Sequence, residues 1–154
     1  AFARALLVPR LEAGTAWVAL TDGAVGAVAM WDRAAPEPRG GSAEWWAAFA
    51  DEVGPEVAAR VDRYDAVIKT KAPARPYWYL GVLATHPDVQ GRGLATAVVQ
   101  PAFDRAAQEG WDCWLETSKP ANKDFYRRRG FTDSVEVDFP DGPPTWWMRR
   151  PHAG

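Results

Sequence analysis

The sequence predicts an α/β (α+β) fold in which helices flank a central sheet, and three features of the chain support this prediction. Two apolar runs are joined by Asp22-Gly23, a dipeptide typical of a tight β-hairpin turn. A β-prone stretch over residues 77–85 leads through a glycine-rich turn into a helical segment. Two more β-prone runs near the C-terminus are separated by a Pro-Asp-Gly-Pro-Pro turn.

The first third of the chain is predicted to hold a helix, a hairpin and a loop. Residues 2–13 have the pattern of the last turns of a helix, and residues 16–31 form the hairpin. In residues 32–41 proline and glycine alternate with charged residues, which indicates a loop.

Two helices are predicted to follow this loop. Ser42 caps the first helix, which runs to about Val53 before Gly54-Pro55 interrupts it. The second helix buries one apolar face and ends before Pro73. That face consists of Val57, Val61, Tyr64 and Ile68.

The central strand is predicted over residues 77–85, and a helix from about Gly93 to Gln108 follows it. Gly110 ends this helix and Pro101 bends it. Residues 112–117 form the next strand, whose side chains alternate between two faces. One face carries Asp112, Trp114 and Glu116, and the other carries Trp111, Cys113 and Leu115.

The C-terminal part is predicted to contain a short helix and a strand pair. Asn122 caps the helix, which runs through Arg129 and is ended by Gly130. The arginines at 127–129 lie near the negative end of the helix, which explains them structurally. The strands cover residues 131–139 and 145–150.

Composition and charge exclude several classes of protein. The 154 residues are 47% hydrophobic and 25% charged, as in globular proteins, and we expect one domain over residues 1–154. Lysine and arginine number 18 against 20 acidic residues, so the net charge of −2 gives no positive field for nucleic acid. Because no apolar run approaches the roughly 20 residues of a membrane span and no signal peptide is evident, we expect no membrane partner and a cytoplasmic location. The single cysteine, Cys113, excludes an internal disulfide and a cysteine-based zinc site.

The most informative motif is the glycine-rich turn Gln90-Gly91-Arg92-Gly93-Leu94-Ala95, placed between a strand and a helix. Backbone N–H groups at such a helix start converge on an anion, and glycine lets a pyrophosphate approach closely. The turn lacks the third glycine of a dinucleotide fingerprint and the Gly-Lys-Ser/Thr ending of a P-loop. It is therefore interpreted as a phosphate cradle of another kind.

This turn and the segments around it resemble the GNAT superfamily of N-acetyltransferases. Gln90-x-x-Gly93-x-Ala95 is similar to the family's pyrophosphate loop, and Leu-Glu-Thr-Ser at 115–118 and Phe125-Tyr126-x-x-x-Gly130 follow in the family's order. The resemblance implies a GNAT fold with a mixed central sheet, and acetyl-CoA as co-substrate without a metal ion. The family's N-terminal strand and first helix have no counterpart ahead of the hairpin, so we expect the domain to be N-terminally incomplete.

Within the superfamily, residues 44–151 are most similar to the puromycin N-acetyltransferases. The similarity rests on Pro-Asp-x-Gln-Gly-x-Gly-Leu at 87–94, on the motifs at 115–118 and 125–126, and on Thr145-Trp146-x-Met148. It implies transfer of an acetyl group to a primary amine of a small molecule, such as an aminonucleoside antibiotic.

The resemblance also implies roles in cofactor binding. Amides of the turn bind the pyrophosphate, with the residues Gln90, Gly91, Arg92, Gly93, Leu94, Ala95 and Thr96. Backbone at Val82, Leu83 and Ala84 pairs with the pantetheine arm, and the Leu83 N–H stabilises the oxyanion. Asn122 contacts CoA or only caps its helix.

Candidate catalytic residues come from the same resemblance. Tyr126 is the candidate general acid for the CoA thiolate, or else a core tyrosine. Glu116 is the candidate base for the acceptor ammonium, or else a structural strand residue, and His86 is an alternative base. Aromatic side chains suit a flat acceptor, and the candidates are Trp45, Trp46, Trp78, Trp114 and Trp146.

Two other functions stay open at this point. A protein acetyltransferase for lysines or N-termini needs an open groove for a peptide, and an idle acyl-CoA-binding protein needs no catalytic residues. We expect a monomer or a homodimer.

Overall fold

The structure is a computed structural model that describes residues 2–34, 43–139 and 142–152, with main chain only at residues 2, 3, 5 and 43–46. Its helices are α1 (Phe2–Glu12), α2 (Ala43–Val53), α3 (Pro55–Lys69), α4 (Leu94–Glu109) and α5 (Pro120–Arg127). Its strands are β1 (Ala16–Thr21), β2 (Ala24–Ala34), β3 (Tyr77–Thr85), β4 (Cys113–Thr117), β5 (Asp133–Val137) and β6 (Thr145–Arg150). In this part of the chain no helix is both long and apolar enough to cross a membrane.

The strands form one six-stranded sheet in the order β1-β2-β3-β4-β6-β5. Strands β3 and β4 pair in parallel, and the other neighbours pair antiparallel. Helix α4 connects the parallel pair, as a crossover must. The predicted mixed sheet with flanking helices is therefore confirmed.

The N-terminal hairpin forms where its turn residues predict it. Asp22 and Gly23 have φ angles of 53° and 81°, the positive values that a tight hairpin turn requires. Strand β2 continues to Ala34, because it pairs with β3 up to the contact between Ala34 and Tyr77. The prediction that the loop begins at residue 32 is therefore wrong by three residues, and the predicted cap at Ser42 lies outside the described residues.

Two hydrophobic cores lie on opposite faces of the sheet. The first packs under α4, where Val99, Ala102 and Ala106 are almost fully buried. The second is aromatic and packs under α3 through Ile68, as the apolar face of that helix predicts. Strand β4 alternates between the two cores as predicted, because Cys113 and Leu115 face the first and Trp114 faces the second.

The C-terminal helix begins earlier than predicted. Helix α5 starts at Pro120 with Lys119 at the N-cap position, since proline at the first helical position loses no hydrogen bond. Asn122 therefore lies in the first turn rather than at the cap, and its Nδ2 donates to Thr117 Oγ1 at 3.1 Å. Strand β5 also starts later than predicted, at Asp133, because Phe131 ahead of it is fully buried in the first core.

The parallel strands β3 and β4 diverge soon after they meet. They pair at only two positions, Trp78 with Cys113 and Tyr79 with Trp114. Beyond them the sheet has a gap between the C-terminal halves of β3 and β4.

A bulge in β3 lies next to this gap. Its register with β2 changes between Leu80 and Val82, so that Gly81 is an extra residue. Before the bulge Leu80 belongs to the first core, and after it Leu83 packs against the same core. The bulge therefore turns Leu83 toward the face that α4 covers.

Candidate functional site

A cavity of about 550 Å³ lies beside the gap between β3 and β4, where the start of α4 meets α5. Most of the predicted cofactor-binding residues line it together. These are Leu83, Gln90, Gly91, Gly93, Leu94, Ala95, Asn122 and Tyr126, and the lining is completed by Thr85, Phe125 and Arg129.

The glycine-rich turn forms one wall of this cavity. Gly91 and Gly93 have φ angles of 77° and 81°, a left-handed conformation that costs other residues about 1–2 kcal/mol. Gln90 ties the turn to the end of β3, since its Nε2 donates to the Thr85 carbonyl at 3.3 Å. The sequence thus fixes a sharp bend directly ahead of helix α4.

Several amides of this bend have no backbone hydrogen-bond acceptor among the described residues. Gly93 is the N-cap of α4, so the N–H groups of Leu94 and Ala95 have no acceptor within the helix. Among the described residues, the amides of Gly91, Arg92 and Gly93 have no backbone acceptor either. The amides at both ends of the predicted segment are engaged, because Gln90 donates to Pro87 at 3.3 Å and Thr96 donates to Gly93 at 3.0 Å.

Arg129 adds a positive charge to this wall, and the sequence reasoning missed its place in the site. Its guanidinium carbon lies 3.4 Å from the centroid of the Phe125 ring, and its Nη2 donates to Thr96 Oγ1 at 2.6 Å. Burial, together with the charge of Arg128, lowers the pKa of Arg129. A helical signal was present, because Asn122, Phe125 and Arg129 recur every three or four residues and all line the cavity.

Tyr126, on α5, also lines the cavity. Its ring packs edge-on against Phe131 and Phe125, at centroid distances of 5.7 and 5.2 Å. Burial raises the pKa of the Tyr126 hydroxyl, and the charge of Glu116 raises it further while Arg129 opposes the shift. The phenol therefore stays protonated at neutral pH, as a proton donor must.

Glu116 lies on β4, on the face of the sheet opposite α4, and is not part of the cavity wall. Its Oε1 accepts a hydrogen bond from the hydroxyl of Tyr79. The charge of Glu116 contributes to the raised pKa of the Tyr126 hydroxyl. Tyr126 packs against the first core, whereas Glu116 lies on the opposite face of β4.

The other predicted site residues lie outside the cavity lining. Val82, Ala84, Arg92 and Thr96 flank it, and Nη2 of Arg92 lies 3.5 Å from the Asp88 carbonyl. The imidazole of His86 is largely exposed, and its Nδ1 accepts a hydrogen bond from the Asp88 amide at 3.3 Å.

The tryptophans separate into different environments. Trp78 is fully buried in the first core and its Nε1 donates to Glu109 at 2.9 Å, so we do not carry it into an acceptor site. Trp114 lies on the Glu116 face and stacks on Trp147 at 5.4 Å. Trp146 is 9% exposed and is covered by the ammonium of Lys123 at 4.2 Å. The side chains of Trp45 and Trp46 lie outside the described residues.

A second cavity, of about 620 Å³, lies between α3 and the connection of β5 to β6. Tyr64 and Phe139 stack in its wall with ring centroids 4.6 Å apart. Both rings pack against the aromatic core that contains Tyr79 and Trp147. This cavity therefore lies on the same face of the sheet as Glu116, and no motif in the sequence predicted it.

The described residues include no cluster of side chains that could bind a metal ion. Within residues 2–34, 43–139 and 142–152, no group of three histidine, cysteine or acidic side chains is arranged to hold an ion. The thiol of Cys113 is buried, and burial raises its pKa to about 12. Cys113 is therefore a core residue and not a nucleophile.

Comparison with known families gives a match over most of the chain. The model of the acetyltransferase (GNAT) family matches residues 8–131, which include the hairpin, the glycine-rich turn and helix α5.

Several solved structures share this fold at low sequence identity. Arylalkylamine N-acetyltransferase 2 from Aedes aegypti superposes with a TM-score of 0.66 and 12% identity, covering 95% of this chain and 77% of that one. A protein described as a histone acetyltransferase and related acetyltransferase from Corynebacterium glutamicum superposes with a TM-score of 0.59 and 22% identity, covering 99% of this chain and 75% of that one. Polyamine N-acetyltransferase from Drosophila melanogaster superposes with a TM-score of 0.58 and 15% identity, covering 93% of this chain and 77% of that one.

Proposed function

Because the chain belongs to the GNAT acetyltransferase family, we propose that it transfers the acetyl group of acetyl-CoA to a primary amine of a small molecule. The observation that carries this proposal is the left-handed turn at Gly91 and Gly93. This turn lines a cavity together with Leu94 and Ala95 at the start of α4. In this proposal the amine attacks the thioester directly, in a ternary complex of the enzyme, acetyl-CoA and the acceptor.

The cavity fits the CoA part of the donor. The amides of residues 91–95 bind the pyrophosphate, and the guanidinium of Arg129 supplies a charge-assisted contact to the same anion. The pantetheine arm lies along β3 beyond Tyr79, where β4 has diverged and leaves that edge of the strand open. Leu83 lies in the cavity wall there, which agrees with a role of its N–H toward the oxyanion.

Two side chains carry out the proton transfers of the reaction, Glu116 as the base and Tyr126 as the acid. The Glu116 carboxylate takes a proton from the acceptor ammonium, directly or through water, so that the nitrogen lone pair attacks the thioester carbonyl. The C–N bond forms and the C–S bond breaks. The acylated nitrogen releases its second proton to solvent, and the departing thiolate receives the proton of the Tyr126 hydroxyl. Proton exchange with solvent then restores both side chains.

The acceptor we favour is an amine with an aromatic body, such as an aminonucleoside antibiotic of the puromycin type, which would make the enzyme an antibiotic resistance protein. The support for this is the second cavity, whose stacked Tyr64 and Phe139 offer a flat apolar wall on the face that carries Glu116. A fold neighbour named for arylalkylamines is consistent with such an acceptor.

The test combines binding with turnover. Acetyl-CoA should raise the melting temperature, and thiol release should be fastest with puromycin in a panel of aminoglycosides, polyamines and a lysine peptide. Turnover on the peptide alone would indicate a protein acetyltransferase, and binding without any turnover would indicate an idle acyl-CoA-binding protein.

A pair of variants tests the acceptor cavity separately. Ala66 lines the second cavity, whereas Ala59, exposed about two turns earlier on the same helix, does not line it. Ala66→Phe should raise the KM for the acceptor without changing acetyl-CoA affinity, whereas Ala59→Phe should change neither. Equal acceptor KM values in the two variants would place the acceptor elsewhere.

A further inference from the structure

We infer that Tyr79 is a positioning residue, which orients the Glu116 carboxylate and holds it in its charged form through a hydrogen bond from the phenol hydroxyl. The inference rests on the proposed role of Glu116 as the base. No motif in the sequence singled out Tyr79.

The sheet register brings the two residues together. Tyr79 pairs with Trp114 at the last point of contact between β3 and β4, and Glu116 follows two residues later on the same face. The two strands diverge at this level, so Glu116 lies at the edge of the gap. The hydroxyl of Tyr79 spans that edge and donates to Glu116 Oε1.

Packing fixes the position of the donor. Tyr79 is 6% exposed, and its ring stacks on Trp147 with centroids 5.9 Å apart and planes at 24°. Trp147 stacks in turn on Trp114 at 5.4 Å. The ring therefore has little freedom, and the direction of its hydroxyl is set by the aromatic core rather than by solvent.

The hydrogen bond has a chemical consequence that packing alone would not require. Phenylalanine would fill the same space in this core, but only tyrosine donates a proton to the carboxylate. A donor to an ionised carboxylate favours the charged form, while burial favours the neutral form. Tyr79 thus counteracts the effect of burial on a group that must be unprotonated to accept the proton of an ammonium.

The surrounding ionisable groups can be named from each neighbouring element. Tyr126 approaches Glu116 from α5, and Tyr64 on α3 belongs to the same aromatic core as Tyr79. Arg10 from α1 reaches this face at Gly81, but it is paired with Asp32 of β2 at 2.6 Å. The hydroxyl of Tyr79 donates a hydrogen bond to the Glu116 carboxylate.

The test is the pH profile of kcat/KM for Tyr79→Phe. It should use an acceptor amine whose own pKa lies above the range scanned, so that the acceptor stays an ammonium throughout and the acid limb reports on the enzyme. Loss of a hydrogen bond to a charged group should move the acid limb upward by about one pH unit, a tenfold loss of rate on that limb. Tyr77→Phe is the matched control, since Tyr77 lies on the same face of β3 and is 3% exposed. It should leave the limb in place.

The outcomes separate this inference from the proposed function. Glu116→Gln should abolish the acid limb, and if it does not, Glu116 is not the base and the proposed mechanism fails. If Glu116→Gln abolishes the limb while Tyr79→Phe leaves it unmoved, the inference alone is overturned. A lower plateau in Tyr79→Phe with an unmoved limb would count as the same negative result, because it shows only a structural role.

Discussion

Replacing Tyr126 with phenylalanine tests the acid side of the mechanism most directly. The substitution removes one oxygen, and the ring keeps its edge-on contacts with Phe125 and Phe131. The fold should therefore be retained, with a melting temperature close to that of the wild type. Any loss of activity then reports on the hydroxyl.

The size of the loss follows from the environment of the phenol. Burial raises the pKa of Tyr126 above its ordinary value of 10.0, whereas a thiol has a pKa of about 8.5. Full proton transfer to the thiolate is thus uphill by at least about 1.5 units, or about 2 kcal/mol. In the transition state the hydroxyl therefore hydrogen-bonds to the developing charge, and its proton moves to the thiolate only late in the step. We expect a loss of about 100-fold, the low end for general acids.

The assay is thiol release at saturating acetyl-CoA, together with cofactor affinity by calorimetry. The value of kcat should fall by about 100-fold while the Kd for acetyl-CoA changes by less than about twofold, because an acid acts in the transition state. Tyr77→Phe serves as the control for loss of a buried tyrosine hydroxyl. A kcat for Tyr126→Phe within about threefold of the wild type would refute the assignment, and so would an equal loss in the control.

Three more experiments test the glycine-rich turn, Arg129 and Asp112. Gly93→Ala places alanine at a φ angle of 81° at the start of α4, and its control Gly110→Ala places alanine at 67° at the end of the same helix. Both substitutions should lower the free energy of unfolding by about 1–2 kcal/mol. Only Gly93→Ala should weaken acetyl-CoA binding in titrations. Arg129→Gln should weaken that binding about tenfold and reduce its salt dependence, whereas Arg128→Gln, an exposed neighbour, should not. Burial alone would raise the pKa of Asp112, but hydrogen bonds from His152 and Arg149 outweigh it and lower that pKa. The stability that Asp112 contributes is therefore present above the pKa of the unfolded state, near 4, and is lost as the pH falls through the pKa of the folded state. Acid unfolding of Asp112→Asn should accordingly begin from a lower stability and show a weaker pH dependence below pH 4, and an unchanged profile would exclude Asp112 as a source of acid sensitivity.

Features that depend on neighbours in the chain were predictable from the sequence. The Asp22-Gly23 turn, the bounds of β3 and the end of α4 at Gly110 all follow from local backbone preferences, and the structure confirms them. The alternation of β4 is equally local, because side chains of a strand alternate whatever the strand pairs with. The single domain, the cytoplasmic location and the oligomeric state stay predictions.

Errors arose where a distant partner decided the outcome. Strand β2 extends into the predicted loop because β3 is there to pair with it. Asn122 had a capping residue's chemistry, but Pro120 starts the helix and Thr117 takes the amide of the side chain.

The sequence by itself determined the glycine-rich turn, since only glycine adopts left-handed φ angles cheaply and the motif places two of them before a helix. Tertiary structure alone decided what surrounds that turn. Its surroundings depend on segments more than 30 residues apart in the chain: β3 and β4 on either side of the gap, Arg129 and Thr96, and Tyr79 and Glu116. Such contacts depend on strand register and packing, which no local pattern of residues specifies.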